Sequence, residues 1–142
     1  MKGAREITGA IFAALEIVHG VLHAISDDML SVFRQPYGPT ALIGTASWLA
    51  FIAFAVFAFR QFSYRWLRVI IAFLAFFLLP VTTIILFGRL SPTLPLEWIL
   101  RLPGILNVVG HLMQLGIAGF IYLWSVRREQ SSIVVASADL AT

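Results

Sequence analysis

The sequence predicts an all-α integral membrane protein with four transmembrane helices in an up-down-up-down bundle. Hydrophobic residues make up 60% of the 142 residues and charged residues 12%, where soluble chains average about 45–50% and about 25%. Mean hydropathy is +0.92, more apolar character than a domain this small can bury in water. Four apolar runs, at about 7–25, 40–59, 66–87 and 105–124, each approach the roughly 20 residues that cross a bilayer. None alternates as a strand does. Together these features exclude a soluble globular domain, a disordered chain and a nucleic-acid binder. Ten Lys+Arg against seven Asp+Glu is too small an excess for a nucleic-acid footprint and reads as a topology signal. The chain has no cysteines, which removes disulfides, thiolate metal sites, Fe–S clusters and cysteine catalysis.

The first run begins after Lys2 and Arg5, the order found in a signal peptide. Glu16 and His19 interrupt it and no small-x-small site follows, so it is expected to stay as a span. In the first connection, Asp27 or Asp28 is placed to cap a short interfacial turn, which Gln35-Pro-Tyr-Gly-Pro39 ends before the second run. The third run contains Pro80, which is expected to kink it. After it, Pro95-Leu-Glu-Trp-Ile-Leu-Arg101 fits a short amphipathic surface helix, and Pro103 is suited to the first position of the fourth span. Residues 1–128 then form one domain, with 129–142 a mobile tail. No internal repeat is visible.

Four spans put the N-terminus, the second connection and the C-terminus on one side. That side holds Lys2, Arg5, Arg60, Arg65, Arg68, Arg127 and Arg128, and the other holds Arg34, Arg89 and Arg101. The asymmetry predicts both termini in the cytoplasm, in a bacterial or archaeal cytoplasmic membrane. Tyr64, Trp66, Trp98, Tyr122 and Trp124 fall where interfacial aromatic belts are expected.

Ionisable residues inside spans cost about 2.5–3.5 kcal/mol each on insertion scales, so their placement carries information. Glu16, His19, His23 and Asp27 fall at about 0°, 300°, 340° and 20° around the first helix, one narrow face. Asn107, His111 and Gln114 share a face of the fourth. Counting depth at about 1.5 Å per residue pairs Glu16 with Gln114 near the midplane and His19 with His111 one turn further out. Thr45 and Ser47 in the second run and Thr82 and Thr83 beside Pro80 add hydroxyls to the same outer half. The other half reads as almost purely apolar. The pattern suits a polar pocket that opens outward, not a through-pore.

Four chemistries and one bland alternative fit these residues. In the first, a small lipid-soluble ligand is held by His23, Asp27, Asn107, Gln114, Thr45, Ser47, Thr82 and Thr83, with Glu16 donating a proton and His19 or His111 relaying it. In the second, a divalent metal is bound: His19-Gly-Val-Leu-His23 has the i, i+4 spacing that puts two imidazoles on one helix face, with His111 or Glu16 as third ligand. In the third, b-type haem is held by His19 and His111 as axial ligands, in a subunit of a larger membrane complex. In the fourth, Glu16 couples protons to transport, against which the apolar inner half counts. In the bland alternative, the stripe only ties helices together by hydrogen bonds worth about 0.6 kcal/mol each. Small-residue pairs such as Gly9/Ala13 and Ala46/Ala50 are compatible with a homo-oligomer but too common to specify one.

Overall fold

A computed structural model describes residues 2–26, 38–90 and 96–139. Asp27, Asp28 and Arg34, with the expected interfacial turn, lie outside the described residues. The described chain is all helix, with no strand: α1 (Lys2–Ser26), α2 (Pro39–Ala58), α3 (Arg65–Leu90) and α4 (Leu96–Asp139). Each contains a stretch long and apolar enough to cross a membrane.

Local chemistry explains most of the boundaries. Gly38, in extended conformation, precedes Pro39, whose fixed φ and missing N–H suit the first helical position. At the other end of α2 the chain tightens into turns, with Phe59 N–H donating to the Ala55 carbonyl (2.9 Å) and Phe62 N–H to that of Phe59 (3.0 Å). Tyr64 then adopts φ 56°, the left-handed conformation that reverses the chain into α3. The fourth helix differs from expectation. It runs unbroken from Leu96 through Pro103, where a separate surface helix and a fresh start were expected. It also continues past Arg128, the expected end of the domain, to Asp139. Pro103 removes one backbone bond near the start of this helix, and the turns on either side carry on.

The helices interlock through a regular series of contacts. Along α1 and α2, Gly9 lies under Phe54, Phe12 meets Phe51, Glu16 meets Ser47 and His19 faces Gly44. Positions fall on α2 as they rise on α1. In the middle, Phe12, Phe51 and Phe76 form an aromatic layer with ring centroids 5.3, 5.8 and 4.3 Å apart. All three are at most 1% exposed. In a lipid solvent such a layer is held by close packing, because lipid tails are as apolar as the rings.

Pro80 sits inside α3 and cannot donate to the carbonyl of Phe76, four residues back. Gln114 on α4 fills the gap, its side-chain N–H donating to the Phe76 carbonyl at 3.5 Å.

Candidate functional site

The α1/α2 register and the approach of α4 bring five polar side chains together. Glu16 is fully buried, and both of its oxygens are engaged. Ser47 Oγ donates to Oε2 at 2.5 Å, and His111 Nδ1 lies 2.6 Å from Oε1. One turn along α1, His19 Nε2 lies 3.1 Å from His23 Nε2. The ring centroids of His19 and His111 are 4.7 Å apart, those of His23 and His111 5.5 Å. One nitrogen of each histidine lies within 4.8 Å of one nitrogen of each of the others.

Two glycines make this packing geometrically feasible. A Cβ at Gly44 would lie 2.8 Å from both Cε1 and Nε2 of His19, a distance side-chain carbons do not tolerate. A Cβ at Gly20 would press on Cβ and Cγ of His111 at 3.2 and 3.1 Å. Gly44 therefore seats His19 against the α2 backbone, and Gly20 lets His111 lie against α1.

The remaining expected site residues divide. Asn107 is buried, and its Nδ2 has no hydrogen-bond partner among the described residues; the same holds for His19 Nδ1. Gln114 turns to α3 and not to Glu16. The levels match the depth count, with His111 against Gly20 and its ring beside that of His19, but the His111 ring, and not the Gln114 side chain, reaches Glu16. Thr45 bonds the Ala41 carbonyl of its own helix at 2.9 Å. Thr82 bonds the Leu78 and Leu79 carbonyls. Thr83 bonds the Leu79 carbonyl at 2.8 Å and contacts Met113 Sδ at 3.4 Å. These threonines satisfy themselves on their own helices and stand apart from the histidines. Asp27 lies outside the described residues.

A cavity of about 190 Å³ between α1 and α4 is lined by Glu16, Gly20, His111 and apolar neighbours. It is not the largest. One of about 570 Å³ lies between α3 and α4, away from the histidines.

A second buried polar cluster has no counterpart in the sequence reading. Near the start of α1, Arg5 pairs with Glu6 at 2.8 Å and with Glu129 at 3.1 Å. It also donates to Ser125 Oγ at 3.1 Å and lies over the Tyr122 ring. The available signal was an opposite charge beyond the end of the fourth run, which resembles an ordinary solvated flank.

Protein-family models, curated proteins and solved structures provide no match to this chain, so the functional reading rests on the geometry.

Proposed function

We propose that the chain is an integral membrane protein, inserted up-down-up-down with both termini in the cytoplasm, that binds one divalent transition-metal ion through His19, His23 and His111. The carrying observation is the contact of His111 Nδ1 with Glu16 (2.6 Å) beside the close His19/His23 pair. In the metal-bound state Glu16 would accept from Nδ1–H of His111, leaving Nε2 with the lone pair that a metal uses. A carboxylate behind a ligating histidine is the usual outer shell of such a site, and Ser47 orients that carboxylate in turn. Two imidazole nitrogens bound to one tetrahedral zinc lie about 3.3 Å apart. The His19/His23 separation of 3.1 Å is close to this. Three neutral imidazoles suit zinc and its neighbours, and a three-histidine set leaves a fourth position for water or substrate.

Haem fits less well. The His19 and His111 rings touch edge to face with 4.7 Å between centroids, and no porphyrin plane passes between rings so placed. The small cavity beside Glu16 and His111 favours a second reading: a metal-free acid/base site that passes a proton between Glu16 and His111 and a lipid-soluble ligand. The antiparallel run of contacts along α1 and α2, and the closure of α4 on both α1 and α3, support the up-down-up-down insertion.

Detergent-purified protein, stripped with chelator and reloaded with zinc, tests the metal reading. The expected result is about one zinc per chain, lost in His19→Ala, His23→Ala and His111→Ala. Acidification from about pH 8 to about pH 5 should release it, because protons and metal compete for the same lone pairs. Wild type that retains no more zinc than the three variants would leave the acid/base reading in its place.

A further inference from the structure

We propose that the cavity between α3 and α4 seats one anionic phospholipid, with its phosphate on Arg68 and Arg128 and an acyl chain along the apolar trench. The proposal rests on the membrane reading but not on the histidine site. The trench, of about 570 Å³, has walls that include Phe59, Leu79, Met113 and Phe120, and it stays open because Ala75 and Gly116 are small. This volume is ordinary for a small-molecule pocket. One end of the trench is formed by Arg68. Arg68 also borders a second cavity, of about 260 Å³, lined by Gln61, Ser63, Arg128 and Ser132. An apolar trench continuing past a guanidinium into a pocket of hydroxyls, amide and a second guanidinium has the shape and polarity of an amphiphile.

Arg68 is held ready for an anion. Its Nε–H donates to the Ser63 carbonyl at 3.3 Å, and its guanidinium lies 4.9 Å from the Phe62 ring and 5.1 Å from the Trp124 ring. These contacts fix the side chain but leave its charge uncompensated. Among the described residues no carboxylate pairs with Arg68 or Arg128, and the nearby acid, Glu129, is bound by Arg5 and Gln61. Arginine's planar fork matches phosphate oxygens, and basic pockets between helices on the cytoplasmic side take anionic headgroups. A second copy of the chain is a poor occupant, because a two-fold contact through this face would set arginines against arginines.

The test starts with membrane fractions washed in carbonate, since a chain released by the wash overturns the membrane reading and this proposal with it. Protein that stays inserted is purified in mild detergent, mixed with phosphatidylglycerol or phosphatidylcholine, and its retained lipid counted by native mass spectrometry. One phosphatidylglycerol per chain is expected, held about thirtyfold less tightly in Arg68→Gln/Arg128→Gln. Gly116→Leu fills the trench from a position where a Cβ meets nothing within 4 Å, so it should fold and still lose the lipid. His19→Ala should retain lipid as wild type does. Equal retention of phosphatidylcholine, equal thermal protection by inorganic phosphate alone, or unchanged retention in a folded Gly116→Leu protein would each overturn the proposal.

Discussion

Arg5 and Glu16 are both buried, both on α1, about three turns apart, and both reach α4. Around Arg5 the account closes: its guanidinium meets two carboxylates and a hydroxyl, and an aromatic ring covers it. Around Glu16 it stays open. The carboxylate is satisfied by Ser47 and His111, but beyond it three histidine rings crowd together, and His19 Nδ1 has no hydrogen-bond partner among the described residues. A closed network serves the fold. The gathered ring nitrogens are where the proposed metal would bind.

Substitutions can break or sharpen this contrast. The largest effect is expected from Gly44→Leu, because even a Cβ at that position lies 2.8 Å from the His19 ring. Zinc retention should fall by more than about a hundredfold, and thermal unfolding in detergent should show a loss of about 3 kcal/mol from overpacking. Arg5→Met should come next, costing about 2–3 kcal/mol by leaving Glu129 without its cation, while zinc retention stays at the wild-type value. A drop in zinc affinity in Arg5→Met would mean that the two networks are coupled. Glu16→Gln keeps the shape and the bond accepted from His111, with the Ser47 bond reversed so that the amide N–H donates to Oγ, but removes the carboxylate behind His111. Zinc affinity should fall by about 10–100-fold with little change in unfolding. Gln114→Leu should cost about 1 kcal/mol through the uncovered Phe76 carbonyl and leave zinc untouched. Thr45→Ala should be smallest, within about 0.5 kcal/mol, since its hydroxyl only bonds its own helix.

The four helices were legible from apolar runs of spanning length without strand alternation, and the inward stripe of α1 because 3.6-residue spacing of its few polar residues survives in an apolar run. Glu16, His19, His23 and His111 were found as a set for the same reason, and Ser47 because it, with Thr45, places a hydroxyl in the same outer half. The partner of Glu16 was not legible. Depth along a helix gives a residue's level but not the direction of its side chain: Gln114 turns to the Phe76 carbonyl, and His111, seated against Gly20, reaches Glu16 instead. Thr45, Thr82 and Thr83 could not be sorted by position alone, since a threonine in a helix can always turn its hydroxyl back to its own backbone. Gly44 and Gly20 carried no signal until the rings they admit were in place. The Arg5–Glu129 pair was hidden because both residues sit at the margins of apolar runs, where charges are usual.

The carbonyl that Pro80 leaves without a donor and Gln114 covers bears on how the protein is made. Chain synthesis delivers α3 before α4, and hydrocarbon offers an uncovered carbonyl no water. On the proposed insertion, the third helix enters the bilayer with a carbonyl that the fourth helix covers. The last two helices should settle as one hairpin, with α3 kept near the insertion machinery or near water until Gln114 emerges. Truncation between α3 and α4 should consequently leave the third segment in the membrane, anchored by its hydropathy, but with water drawn to the Phe76 carbonyl, seen as faster amide exchange around Pro80 than in the full chain.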